Sequence, residues 1–219
     1  MKARSDHNKF WLDKWSSNAI GFHEDFIHPL LKQYWSSINS APRSNVLVPL
    51  CGKSKDLLYL RDQGHNVFGI EISEIAIVAF FAENKIAYEK TQHPNHDIFR
   101  GEGLTVYRSD IFNFPKKILP KIDVIYDRAS LIALSGKQRQ NYSDWLTTST
   151  QSGCKSLLIT LEYNEEKLSP PPYLVDRMEL AALYQDKWEV THLGQHSALA
   201  KGHQAQEHIY LLLRKHFNA

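Results

Sequence analysis

Gly52 and Glu71 stand nineteen residues apart, one in the loop after a short apolar run and the other at the end of the next, and that pairing suits a nucleoside. A glycine lets a ligand approach the backbone closely, and the amides that open the following helix carry partial positive charge. A carboxylate ending the second strand can accept hydrogen bonds from both hydroxyls of a ribose. Position alone leaves a plainer reading open, an exposed strand-end glutamate. Asp110 and Ile111 follow the third such run, where a carboxylate and an apolar side chain can meet the edge and face of a purine; the alternative is a turn aspartate. The loop Leu50-Cys51-Gly52-Lys53-Ser54 lacks the full G-x-G-x-x-G arrangement, which weighs against a pyrophosphate-binding dinucleotide site. Cys51 has no base in its motif and reads as packing rather than as a nucleophile.

The elements that must position these residues follow from periodicity. Residues 6–17 carry Trp11 and Trp15 one helical turn apart, and a second helical pattern begins near Pro29 and runs through Leu30, Leu31, Tyr34 and Trp35. The run 45–50 is continuous and apolar, as a strand buried on both faces requires, and Pro49 confines it to the strand's end. Ser54 is placed to cap a helix through Leu57, Leu58 and Leu60 that stops at Gly64, and a strand over 67–71 follows. Ser73 caps a helix reaching about Asn84; the next strand is 104–109, with the polar segment 93–103 between them read as a surface loop. Strands over 122–126 and 157–163 flank a helix over 138–148. The last two, 188–193 and 208–213, have no helix between them and suit an antiparallel pair. Strand alternating with helix implies a mostly parallel sheet covered on both faces.

Composition narrows the class. The 219 residues, 42% hydrophobic and 23% charged, suit one globular domain. Lysine and arginine are scattered and the net charge is +2, so no nucleic-acid partner is expected. No apolar run approaches a membrane span and residues 1–10 are polar, so neither membrane nor export is expected. Cys51 and Cys154 read as free thiols in a reducing compartment, and the eleven histidines show no metal-ligand spacing.

Several unusual motifs occur in order over nearly the whole chain. They are Trp11-Leu12-Asp13-Lys14-Trp15 with Ile20-Gly21-Phe22-His23, then Val48-Pro49-Leu50-Cys51-Gly52-Lys53-Ser54-Lys55-Asp56. Gly69-Ile70-Glu71-Ile72-Ser73-Glu74 comes next, followed by Phe80-Phe81-Ala82-Glu83-Asn84 and Asp127-Arg128-Ala129-Ser130-Leu131-Ile132-Ala133-Leu134. In this combination the chain resembles the thiopurine S-methyltransferases, most of all the bacterial members. The resemblance implies a class I methyltransferase fold: a Rossmann-like α/β domain over 1–219 with a mostly parallel seven-stranded sheet, a C-terminal antiparallel hairpin, and N-terminal helices in 1–40 covering the site. It implies S-adenosyl-L-methionine as cofactor, S-adenosyl-L-homocysteine as its product, and a cytoplasmic monomer. By the same resemblance Trp15, Leu50, Glu71 and Arg128 contact the cofactor, Asp110 and Ile111 flank its adenine, and Phe22 borders the acceptor pocket.

Methyl transfer to the sulfur of an aromatic or heterocyclic thiol is an in-line displacement that mainly demands alignment and exclusion of water. Aromatic faces at Trp15 or Phe22 suit a sulfonium cation, Arg128 can pair with the cofactor's carboxylate or hold an anionic acceptor, and Asp13 is the candidate for receiving or relaying the acceptor's proton. Other acceptors on the same fold are selenium or tellurium oxyanions, halide and thiocyanate; from another class comes a nucleotide-binding module without turnover. The sequence departs from the family pattern at Ser169-Pro170-Pro171-Pro172-Tyr173, where Gly-Pro-Pro-Phe is usual, and near the last strand, where His196 and Lys201 stand in the region of an expected basic residue.

Overall fold

Short runs of branched apolar residues buried on both faces become the central strands, and everything that positions the site hangs from their carboxyl ends. The computed structural model describes residues 2–216, with side chains from residue 6, and divides the chain into two compact units, one holding residues up to 33 and 41–118, the other 34–40 and 119 onward.

In the first unit, helix α1 (Lys2–Ser16) leads to α2 (Pro29–Tyr34), which starts on the expected proline, where a missing N–H costs nothing. Strand β1 (Asn45–Pro49), helix α3 (Asp56–Asp62), strand β2 (Asn66–Glu71) and helix α4 (Glu74–Glu83) make the βαβ unit and its continuation. β1 pairs parallel with β2 from Asn45 opposite Asn66 to Pro49 opposite Ile70. The Ser73 hydroxyl accepts from the Ala76 amide at 3.2 Å to cap α4, which buries Ala76, Ile77, Phe80 and Phe81. Ser54 acts one residue earlier than expected: Lys55 holds the capping position, and the Ser54 hydroxyl accepts from the Asp56 amide at 3.1 Å.

The segment 93–103 is not a surface loop. Strands β3 (Glu89–His93) and β4 (His96–Gly101) form an antiparallel hairpin, β4 pairs antiparallel with β5 (Leu104–Arg108), and β5 runs parallel to β2, so the order in this unit is β3-β4-β5-β2-β1. The polar residues that suggested a loop are accommodated by pairing. Asp97, buried on β4, accepts from Arg108 Nε at 2.7 Å and lies 3.4 Å from Lys90 Nζ, while Ile98 and Phe99 supply the apolar contact that holds the strand down.

The Arg108 guanidinium beside Asp97 holds its carboxyl below the ordinary value, with Lys90 adding to the effect and burial opposing it. A depressed carboxylate stabilises the fold above its unfolded pKa and loses that contribution as pH falls through the folded one. Asp97→Asn is therefore expected to melt below the wild type at pH 7, with the gap closing as pH drops below about 3.9. Thermal denaturation between pH 7 and pH 3 checks this; a gap independent of pH would mean that the Asp97 charge is not its source.

In the second unit a 3-10 turn (Trp35–Ile38) precedes strand β6 (Val124–Arg128), helix α5 (Ser130–Ala133), helix α6 (Gly136–Ser149), strand β7 (Lys155–Tyr163), helix α7 (Arg177–Tyr184), strand β8 (Trp188–Ala200) and strand β9 (His203–Arg214). The order is β6-β7-β9-β8, with β6 and β7 parallel and the rest antiparallel. The final pair is the expected hairpin, longer than its apolar cores suggest because its polar residues continue the ladder up to the turn at Lys201 and Gly202. β6 begins two residues later than expected, so Asp127 and Arg128 belong to the strand rather than following it. Nine strands occur among the described residues where seven were expected, the addition being the β3–β4 hairpin. No helix among these residues is long and apolar enough to cross a membrane.

Candidate active site

β1 and β2 deliver their loops to a common place because they are parallel and in register. Beyond Pro49 the chain turns sharply: Leu50 is left-handed at φ 46°, Cys51 donates its amide to the Ile70 carbonyl at 3.1 Å, and Gly52 has φ 53°. A non-glycine residue at positive φ is uncommon, and one immediately after a strand beside a left-handed glycine marks a backbone held in place by its surroundings. Cys51 faces inward, and Gly69 makes room for it, since a Cβ there would lie 2.7 Å from the Cys51 sulfur.

Glu71 is buried at the end of β2, not exposed. Its Oε2 accepts from the Gly52 amide at 2.9 Å and its Oε1 from the Ser73 amide at 2.7 Å, so one carboxylate ties both loops together. Burial pushes its pKa up, and hydrogen bonds from the Ser73, Gly52 and Ile72 backbones pull it back. Two oxygens offer about four lone-pair sites, so the carboxylate keeps capacity to accept from a ligand hydroxyl.

α1 roofs this loop. Trp15 is only 7% exposed, and its ring lies 3.1 Å from where a Cβ on Gly52 would stand. Phe22 packs edge-on against both Trp11 and Trp15, with centroids 5.2 and 5.5 Å away, and remains 46% exposed. Asp110 caps a 3-10 turn (Ile111–Asn113) by accepting from the Phe112 amide at 2.9 Å, and its other oxygen accepts from Asn8 of α1 at 3.1 Å and from Asn113 at 3.2 Å. Ile111 is buried beside it. Trp15, Phe22, Gly52 and Glu71 thus form one cluster, and Asn8 joins α1 to the turn after β5.

Asp13 does not join the cluster. Its carboxylate takes the Lys9 ammonium at 2.5 Å, and its side chain is 61% exposed. Two residues from Trp15 on a helix means nearly opposite faces, which places Asp13 in a surface ion pair with Lys9.

Arg128 belongs to the second unit as the half-buried last residue of β6, followed by Ala129 at φ 68°. The two basic candidates near the last strand are both engaged there. His196 Nε2 lies 2.8 Å from the Tyr34 hydroxyl, and Lys201 Nζ donates to the Ser169 carbonyl at 2.9 Å. The proline loop is also tethered, since Tyr163 donates its hydroxyl to the Pro172 carbonyl at 2.6 Å. Residues the sequence reading gave no role are Asn8 and Asp127, the latter a buried carboxylate bonded to Tyr142. An acidic residue following the apolar run 122–126 was the available signal for Asp127; nothing local marked Asn8.

Both thiols are buried. Burial pushes Cys51 well above its ordinary pKa, with Glu71 adding to the effect, and pushes Cys154 up to about 12. Since thiolate is the reactive form, Ellman's reagent is expected to titrate neither cysteine in the native protein and both after denaturation. Rapid native labelling of Cys51 would contradict its packing role.

The arrangement fits a nucleoside with a cationic group: a glycine turn on which the Trp15 ring packs, a buried carboxylate at the strand end, and aromatic edges beside it. Comparison with known proteins gives the family. Residues 6–215 match the profile of the family described as Thiopurine S-methyltransferase (TPMT). A protein named thiopurine S-methyltransferase from Pseudomonas syringae pv. syringae is 37% identical over 214 residues, covering 94% of this chain and 97% of that protein. Among solved structures, a SAM-dependent methyltransferase from Anabaena variabilis aligns with a TM-score of 0.69 at 12% identity, covering 95% of each chain. Magnesium protoporphyrin IX methyltransferase from Synechocystis, with bound SAH, aligns with a TM-score of 0.64 at 12% identity, covering 95% of this chain and all of that one.

Proposed function

The chain belongs to the thiopurine S-methyltransferase family, and we propose that it transfers the methyl group of S-adenosylmethionine to the sulfur of an aromatic or heterocyclic thiol. The observation that carries this reading is the Gly52–Glu71–Trp15 cluster, in which a buried carboxylate and a side-chain-free turn lie under an aromatic roof. When bound, S-adenosylmethionine supplies a methyl group activated by attachment to a sulfonium.

The chain's residues bind, orient and exclude water. Glu71 accepts from the ribose with the lone-pair capacity that its backbone hydrogen bonds leave over, and Leu50 and Gly52 bring backbone close to the ligand. Asp110 and Ile111 flank the adenine; because Asp110 already accepts three hydrogen bonds, its contribution is a fixed wall more than a new donor–acceptor pair. Trp15 and Phe22 turn aromatic surface to the cation, worth about 0.5–2 kcal/mol each where desolvated. Arg128 takes the carboxylate of the donor or an anionic acceptor. Heterocyclic thiols ionise readily, so alignment and a dry aromatic chamber suffice without a strong base.

The same reading takes the protein as one catalytic domain, a cytoplasmic monomer with a small-molecule acceptor. The test is methyl transfer from labelled S-adenosylmethionine to a panel of aromatic thiols, selenite and thiocyanate. Methylated thiol is the expected product. Transfer to selenite or thiocyanate alone would shift the acceptor class, and donor binding without transfer to any acceptor would leave a non-catalytic module.

A further inference from the structure

Asp127 is 1% exposed on β6, one residue before Arg128. Tyr142, wholly buried on α6, donates its hydroxyl to Asp127 Oδ2 at 2.7 Å. Ser130, buried at the start of α5, supports the ionised carboxylate through its hydroxyl and its amide. The same short helix is held from a second side, because buried Arg139 donates through Nε to the Leu131 and Leu134 carbonyls at 3.0 and 2.9 Å and pairs with Glu179 of α7. Between these anchors the chain passes through Ala129 at φ 68°. Strand alternation sends the Arg128 side chain to the sheet face opposite Asp127.

Burying an ionisable carboxylate is a costly way to fill space, and a well-packed apolar pair of similar volume usually serves stability as well or better. Its hydrogen bonds instead fix direction: they pin the strand end on one side of the left-handed residue and the helix start on the other. We propose that Asp127 and Tyr142 form a buried positioning pair that holds the Arg128–Ala129 turn and so presents the Arg128 guanidinium to the carboxylate of the methyl donor. The proposal rests on the reading of Arg128 given above.

Burial raises the Asp127 pKa to about 6, with Tyr142 and Ser130 opposing the rise. The titratable groups facing it are Tyr142 from α6 and Tyr184 from α7, both phenols kept neutral by burial and by Asp127 itself. Ionised Asp127 accepts from Tyr142 more strongly than the protonated carboxyl does, so donor grip weakens as pH falls through that value. Removing the Tyr142 hydroxyl leaves the ionised form less supported and moves the weakening to higher pH.

The experiment is a double-mutant cycle on S-adenosylhomocysteine affinity, measured by calorimetry at pH 8 and then down to pH 5.5. Tyr142→Phe is expected to weaken binding about 3- to 10-fold, the worth of one hydrogen bond, and to shift the acidic fall-off upward. Arg128→Ala is expected to weaken it further, and Tyr142→Phe added to Arg128→Ala should cost nothing more, because the lost positioning has no guanidinium left to act through. Additive losses, or Tyr142→Phe with unchanged affinity and pH profile and only a lower melting temperature, would overturn the positioning pair. Unchanged affinity in Arg128→Ala alone would overturn the reading of Arg128 instead. If Tyr142→Phe does not fold, Ser130→Ala, which removes a different support of Asp127, is run through the same cycle and decided by the same outcomes.

Discussion

Glu71→Ala is expected to weaken S-adenosylhomocysteine binding by about 1–3 kcal/mol, the range for hydrogen bonds to a charged acceptor. The carboxylate is buried and already oriented, so a ribose meets it without further ordering of the side chain. The substitution also strips the Gly52 and Ser73 amides of their acceptor, and each unsatisfied buried amide costs about 1–3 kcal/mol. A fall in melting temperature therefore accompanies the lost affinity. Glu71→Gln separates the two effects: it keeps one acceptor oxygen but turns an amide group toward an N–H, so part of the scaffold survives while the charge is gone. Calorimetry and thermal melts on the three proteins check this. Full affinity in a folded Glu71→Ala would remove the residue from the site.

Gly52→Ala is expected to lower stability by about 1–2 kcal/mol from backbone strain alone, since a Cβ is disfavoured at a left-handed φ of 53°. To this is added the Trp15 ring, 3.1 Å from the new methyl. The ring is buried and wedged by Phe22, so it yields only by shifting the roof. Gly64→Ala provides the control: that glycine is also left-handed, at φ 85°, but a Cβ there meets nothing within 4 Å. The excess loss in Gly52→Ala over Gly64→Ala reports the Trp15 contact, and a donor affinity reduced at least about 10-fold in Gly52→Ala alone would reflect the displaced roof, a factor worth about 1.4 kcal/mol. Equal losses in both variants, with donor affinity intact, would mean that Trp15 does not depend on the gap at Gly52.

What could be read from the sequence was what local chemistry decides. Pro29 opened α2 and Ser73 capped α4, because both effects act within one helical turn. Glu71 was legible because its place at a strand end follows from an apolar run of the right length. Its double amide bond was not, since Gly52 and Ser73 meet it only after β1 and β2 pair. The β3–β4 hairpin was misread for a similar reason: Asp97, His93 and His96 look like loop residues until Arg108 and Lys90, contributed by neighbouring strands, make burial of Asp97 tolerable. Asp13 shows a placement that the motif alone does not give. It lies inside a motif that resembles the family signature, yet the helical period turns it away from Trp15 and into solvent. Tyr142 reaches Asp127 across a stretch containing two helix starts, a relation that no window of residues displays.

The hairpin also decides what one border of the sheet offers to a neighbouring molecule. A sheet whose last strand exposes unpaired backbone invites a neighbouring molecule to add another, and β3 is the outer strand of its unit. Every residue of β3 is exposed, and the strand reads Glu-Lys-Thr-Gln-His, with Lys90 anchored by Glu74. A newcomer laid along that rim would have to strip water from charged and amide side chains while gaining almost no apolar contact. The two extra strands thus widen the sheet and end it with a border that discourages stacking one molecule onto the next.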